Sequence, residues 1–191
     1  MLIIHAHHTD PCSAGRLTTA LGNSAHERLQ SKGHTTRRVP IDDGWDVEAE
    51  LQNHQWADVV LLQSPVNWMG VPWTFKKYMD EVYTAGMGGA LCNGDGRHHD
   101  NPKQNYGAGG TLSGKRYLLS LTFNAPEESF NDANEYLFQG KSVDDLWFPM
   151  HMNFRFFGME SLPTFACYDV MKNADVEADL ERFAAHINEF L

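Results

Sequence analysis

Three short stretches of this chain gather residue types that can hold a flat heteroaromatic ligand and its phosphate. Ser13-Ala14-Gly15 stands just before a helical pattern. Backbone N–H groups at a helix start lack intrahelical partners, and the helix dipole there favours an anion. Ser13, Arg16, Thr18 and Thr19 add side-chain donors. An ordinary serine cap explains Ser13 alone at least as well. Val66-Asn67-Trp68-Met69 follows an apolar run and sets an amide beside a large flat aromatic and a soft thioether, a combination suited to a planar ring. Thr122-Phe123-Asn124 repeats the theme with hydroxyl, aromatic and amide. One tryptophan in a turn is readily explained as core folding over a sheet edge. Two such stretches on either side of one crevice can sandwich a single cofactor.

Other strings carry less. "GGTLSGKR" places Gly109, Gly114 and Lys115 as a phosphate-binding Walker loop would, but Arg116 stands where Ser or Thr should hold magnesium. The string also precedes a strand instead of following one. The pairs His7–His8 and His98–His99 lack further ligands at metal-binding spacing, and solvated loop histidines explain them better. Ser13 has no GxSxG context for a hydrolase nucleophile. No side chain is singled out as catalytic, and none as a metal ligand.

The elements that must position these stretches alternate. "LIIHAH" reads as a buried strand, and Leu17, Leu21, Ala25 and Leu29 recur at helical spacing until Gly33. "TTRRVPI" is a second strand, with a short helix over Val47–Asn53. "DVVLLQS" is the clearest strand, a continuous apolar run as in a sheet covered on both faces. A helix is expected from about Pro72 to Ala85. Gly86–Gly114 is rich in Gly, Asn and Asp and long for a loop, so it is either functional or mobile. "KRYLLSLTFN" is a strand, helices are expected near Glu127–Leu137 and Val143–Phe157, "SLPTFACYDV" is a last strand, and Val176, Leu180, Phe183, Ile187 and Phe190 mark a closing helix. This order predicts an α/β fold: a doubly wound, five-stranded parallel sheet of flavodoxin-like type, one domain over residues 1–191. In such sheets ligands bind beyond the carboxyl ends of the strands, where all three stretches fall.

The formal net charge of −10 argues against a nucleic-acid surface. The lysine and arginine pairs Lys76–Lys77 and Arg37–Arg38 sit in acidic surroundings and read as solvated faces. Cys12, Cys92 and Cys167 form neither a CxxC nor a disulfide framework, which fits a reducing compartment. With no signal-peptide pattern and no apolar stretch near the ~20 residues of a membrane helix, a cytoplasmic location is expected.

"PVNWMGVPWTFKKYMDEVYTAGMG", "GDGR", "YGAGG", "GKRYLLSLTFNAPEESF" and "GMESLPTFACYDVMK" together resemble the quinone oxidoreductases of the "modulator of drug activity B" type, within the wider flavodoxin-like NAD(P)H:quinone reductase group. The resemblance runs in order over nearly the whole chain. It implies bound FAD, NAD(P)H as donor and a quinone as acceptor, reduced by two electrons in a ping-pong sequence. By position, Ser13, Ala14, Gly15, Arg16, Leu17, Thr18, Thr19 and Ala20 would meet the FAD phosphates and adenosine side. Val66, Asn67, Trp68 and Met69 would line the isoalloxazine ring, Thr122, Phe123, Asn124 and Ala125 would cover it, and Tyr106 would add a further contact. The wider group places a Tyr and a His near the flavin. Tyr136 matches the Tyr here, but Ser142 stands at the His position. An azo- or nitro-reductase on the same scaffold, and a flavin-carrying electron shuttle or regulatory subunit, remain as alternatives. The apolar Val143–Phe157 stretch and the Gly-rich segment exceed what five strands cover, which leads to the expectation of a homodimer.

Overall fold

The computed structural model describes residues 1–9 and 13–191; Cys12 lies outside them. The strands are β1 (Leu2–His5), β2 (Arg37–Pro40), β3 (Val59–Pro65), β4 (Arg116–Thr122), β5 (Glu160–Ser161) and β6 (Phe165–Cys167). All pairings among them are parallel, in the order β2-β1-β3-β4, with β5 and β6 sharing the far side of β4. The flavodoxin-like α/β sheet is therefore as expected, with its fifth position split at Leu162-Pro163-Thr164. Pro163 lacks a ladder donor, which suits an edge. Arg182 and His186 of the last helix donate to the carbonyls of Ala166 and Pro163 at 3.2 and 2.8 Å, covering part of that edge.

Both faces of the sheet are buried, so the strands read as unbroken apolar runs. Leu2, Ile4, Val60, Leu62, Leu119 and Leu121 pack toward α2 (Val47–Trp56), α3 (Trp73–Tyr78) and α5 (Phe148–Phe156). Ile3, Leu61, Leu118 and Phe165 pack toward α1 (Arg16–Ser31) and α6 (Val176–Phe190). Helix α1 ends where Gly33 takes φ 87° and the N–H groups of Gly33 and His34 return to Gln30 and Leu29, a Schellman closure. Helix α3 widens into a π turn over Met79–Tyr83.

One helical expectation fails and another is met with a break. Over Glu127–Leu137 only Glu127–Ser129 is helical, as one 3₁₀ turn. The Asp132 carboxylate accepts the Asn134 N–H at 2.8 Å and Asn131 takes φ 61°: short polar side chains bind the local backbone and compete with the helix. The Val143–Phe157 stretch breaks at Trp147 into α4 (Val143–Leu146) and α5. Ser142 and Asp145 cap α4 reciprocally, and Pro149 sits in the first turn of α5, where its missing N–H costs nothing.

The Gly86–Gly114 segment is folded at the amino edge of the sheet. Cys92 bridges Gly110, and Leu91, Cys92 and Leu112 are buried. A Cβ on Gly110 would lie 2.2 Å from the Phe157 carbonyl carbon, so backbone packs on backbone there. Lys115, the lysine of the Walker-like string, instead donates to the Gln55 and Ala57 carbonyls at 2.5 and 2.8 Å, closing the end of α2.

Candidate functional site

The carboxyl end of β3 carries a two-residue hairpin. Asn67 and Gly70 exchange backbone hydrogen bonds of 2.9 and 3.0 Å, and Trp68 and Met69 form the apex with φ 49° and 64°. Such a turn needs positive φ at both central positions and ordinarily uses Asn-Gly. Left-handed backbone costs an L side chain about 1–2 kcal/mol per residue. The indole held by this turn is 97% exposed, so Trp68 contributes nothing to the core. Strain and exposed apolar area coincide at one place, which is the pattern of a residue kept for a ligand. Val66 is half-buried and donates its N–H to the Thr122 carbonyl at 3.0 Å, so the turn is tied to the end of β4.

The loop after β1 meets α1 beside it. Gly15 caps the helix with φ 64°, and a Cβ there would fall 2.1 Å from the His7 ring, so glycine avoids both backbone strain and a displacement of that ring. Ser13, Ala14, Arg16 and Thr19 are exposed and Ala20 is half-buried, whereas Leu17 packs against the core and Thr18 is buried. The surface offered to a ligand is thus one helical turn, the scale of a single phosphate.

Asp42, which sequence reasoning passed over, and His8, which it read as a solvated loop histidine, join this edge. The Asp42 carboxylate, just after β2, accepts the Thr9 N–H at 3.2 Å and lies 3.0 Å from His8 Nδ1. Hydrogen bonds from Thr9 hold that carboxyl below its usual range. The His8 ring in turn meets Trp73 edge-on, centroids 5.3 Å apart. The parallel pairing of β1 with β2 is the signal that brings these two loops together.

The third stretch divides. Thr122 is buried. Phe123 is core: it packs on Phe130 and Tyr168, and its N–H is used by the Cys167 carbonyl at 2.8 Å. Only Asn124 is exposed, with Ala125 half-buried beside it. Tyr106 is not brought to this edge. Its ring meets Phe156 at the end of α5, centroids 5.8 Å apart. The next carbonyl, Phe157, accepts Leu112 N–H at 2.9 Å, close to the start of β4 and at the opposite edge of the sheet. Tyr136 is 91% exposed and Ser142 caps α4, so they form no relay. A tyrosine–histidine–carboxylate chain does exist: Tyr117 O–H to His151 Nδ1 at 2.7 Å and His151 Nε2 to Asp144 at 3.1 Å. Tyr117 is buried under α5, and the chain braces α4 and α5 on β4.

A planar ring with one phosphate fits what is present: an exposed, rigidly presented indole and thioether, an amide across the gap, and a glycine-capped helix start. Two solved structures of this fold hold FMN. The general stress protein 14 of Treponema denticola, in complex with FMN, superposes with a TM-score of 0.67 at 19% identity, over 98% of this chain and 97% of that one. An FMN-dependent NADH-azoreductase of Bacillus anthracis, also in complex with FMN, gives 0.66 at 16% identity, over 98% and 95%. The FAD expected from the sequence is corrected accordingly. Within residues 13–20, Leu17 and Thr18 face inward, so the exposed part of this stretch is a phosphate-sized turn.

A family model described as a flavodoxin-like fold matches residues 1–191. A candidate quinone reductase from Klebsiella pneumoniae superposes with a TM-score of 0.75 at 25% identity, covering 98% of this chain and 82% of that one. The NADPH:quinone oxidoreductase MdaB of Haemophilus influenzae is 46% identical over 177 residues, 93% of this chain and 91% of the relative. The chain belongs to the flavodoxin-like family and, within it, to the MdaB-type quinone oxidoreductases.

Proposed function

We propose that this protein is a flavin-dependent oxidoreductase that passes electrons from NADPH to quinones at the carboxyl edge of β1, β3 and β4. The single observation that carries the reading is the Trp68-Met69 turn, strained and exposed at the flavodoxin-like switch point between β1 and β3. The bound flavin supplies the hydride chemistry. Residues 13–20 hold its phosphate at the start of α1. Trp68 and Met69 form a wall against one face of the ring, and strain-locked backbone keeps that wall from collapsing when no ligand is present. Asn124 and Ala125 approach from β4 and offer an amide and N–H groups to the polar rim of the ring.

We take residues 1–191 as one domain, working as a homodimer in the cytoplasm. In this reading Tyr106, which meets Phe156 at the far edge of its own sheet, would contact the flavin of a second copy of the chain. Phe148 and Leu137 are more than half exposed, as a face covered by a partner would be. Among the described residues no helix is long and apolar enough to cross a membrane.

The test is purification followed by absorbance and turnover. A yellow protein that oxidises NADPH when menadione is added supports the reading. A colourless protein that binds no added flavin, or a flavoprotein that needs a partner protein to oxidise NADPH, refutes it.

A further inference from the structure

Beside the Asn67–Gly70 turn lies an open cleft of about 810 Å3, within the size range of small-molecule sites. Trp68 and Trp73 supply its aromatic surface, and Lys76, Lys77, Asp80 and Glu81 line it further along the helix that Trp73 begins. We propose that this cleft docks the adenosine-phosphate half of the nicotinamide dinucleotide, with Lys76 and Lys77 receiving its 2′-phosphate. The proposal rests on the quinone-reductase reading above and adds a donor subsite to it.

Trp73 is the first reason. Its side chain is 64% exposed, yet it is not loose: His8 meets it edge-on, and Asp42 fixes His8 from behind at 3.0 Å. A braced, solvent-facing indole is a ready stacking surface for a purine, since little conformational freedom remains to be lost. Trp68 is shared between the cleft and the candidate flavin wall. A dinucleotide lying along the cleft therefore brings its nicotinamide end to the ring.

The charges are the second reason. The protein carries a formal −10, so a polyanionic donor is repelled except where cations are gathered. Lys76 pairs with Asp80, and Lys77 lies 3.6 Å from Glu81, one helical turn along in each case. Lys77 also sits over the Trp45 ring at 5.5 Å, while Trp45 Nε1 donates to Glu81 at 3.0 Å. The ammonium groups are thereby kept at the cleft. All four side chains are well exposed, and exposed pairs of this kind contribute about 0–1 kcal/mol. A phosphate dianion, a stronger acceptor than one carboxylate, can displace Asp80 and Glu81 at small cost. The carboxylates are then competitors of the ligand, which gives the proposal two opposite signatures.

Titration calorimetry on the flavin-loaded protein, with 2′,5′-ADP and with 5′-AMP, reads both. The 2′-phosphate compound is expected to bind the tighter of the two. Lys76→Ala/Lys77→Ala should weaken 2′,5′-ADP at least tenfold and erase its advantage over 5′-AMP. Asp80→Asn/Glu81→Gln should tighten it severalfold. KM for NADPH should move with these affinities, while KM for menadione and the flavin content stay unchanged. A lysine variant that is folded and flavin-loaded but binds 2′,5′-ADP as before overturns the proposal, as does a shift confined to the menadione KM. Lysine-dependent 2′,5′-ADP binding in a protein that fails to reduce quinones would leave the subsite standing and remove the quinone-reductase reading. Quinone reduction with a donor KM indifferent to both variants would do the reverse.

Discussion

The two edges of the sheet use left-handed backbone in opposite ways. At the amino edge, the segment from Gly86 to Gly114 reaches positive φ at Gly89, Gly94, Gly96, Gly107 and Gly114, with Asn105 as its one non-glycine case. At the carboxyl edge, the same region of φ is taken by Trp68 and Met69, for which glycine or asparagine would be easier. The first segment packs backbone on backbone at Gly96, Gly109 and Gly110. The second is a short turn with open space around it: a Cβ on Gly70 would touch nothing within 4 Å. Where the fold is at stake, this chain uses the residue that costs least. Where a ligand is at stake, it keeps large side chains and accepts the strain.

The sharpest way to break that contrast is to add one methyl group at each edge. Gly110→Ala drives a Cβ into the Phe157–Gly158 backbone at 2.2–2.3 Å, where no side chain can rotate away. A loss of about 3 kcal/mol or more is expected. Gly70→Ala should stay within about 0.5 kcal/mol. Denaturant titration of both variants decides; equal losses would mean that the carboxyl-edge turn is as tightly packed as the amino-edge segment.

The layer beneath the carboxyl edge should not share the tolerance of the turn. His5 ends β1 on the α1 side, 7% exposed, and the Gly22 position of α1 lies against its ring. Burial, and then the charge of Arg38, lower its pKa to about 4. The folded state thus favours the neutral ring. Stability from this group is fully present above pH 6.5 and is lost as pH falls from 6.5 to about 4, because the unfolded chain binds the proton first. The shift corresponds to a loss of about 3 kcal/mol. His54, on the other face and also lowered to about 4 by burial, acts in the same window. Stability measured at pH 7 and pH 4.5 should differ by several kcal/mol, and His5→Asn should reduce that difference. An unchanged slope in the variant would show that His5 is not the group responsible.

Much of this contrast could be read from residue types, and the missing parts have definite causes. The strands were legible because burial on both faces leaves unbroken apolar runs such as Val59–Leu62, and the parallel alternation then placed three loops at one edge. Phe123 was not, since an aromatic at a strand end is equally suited to ligand or core, and only the neighbours Phe130 and Tyr168 decide it. Glu127–Leu137 has helical spacing of apolar residues, but its Asp and Asn side chains bind the backbone locally. The His8–Asp42 pair joins residues 34 apart through the pairing of β1 with β2, and no local pattern announces it. Tyr106 carries no sign of its edge, because position along an irregular segment says nothing about which end of the sheet the segment visits.

The smallest expected effect bears most directly on the turn. Met69 sits at φ 64°, and glycine there relieves about 1–2 kcal/mol of left-handed strain. The unfolded chain gains freedom worth roughly 0.5–1 kcal/mol, which offsets part of the gain. The side chain is 43% exposed, so more than half of it is covered, and the burial lost with it offsets the rest of the gain. Met69→Gly should therefore leave stability within about 1 kcal/mol of the parent, or about 2–4 °C in melting temperature for a chain of this size. If the thioether and the fixed turn exist for the flavin, the same variant should hold it more weakly, with faster release on dilution. Trp68→Ala should release it faster still, at little cost to the apoprotein melt. The paired readout separates the explanations: a turn kept for the fold predicts that Met69→Gly melts lower with flavin retention intact. A turn kept for the ligand predicts a protein that melts nearly as before and loses its colour.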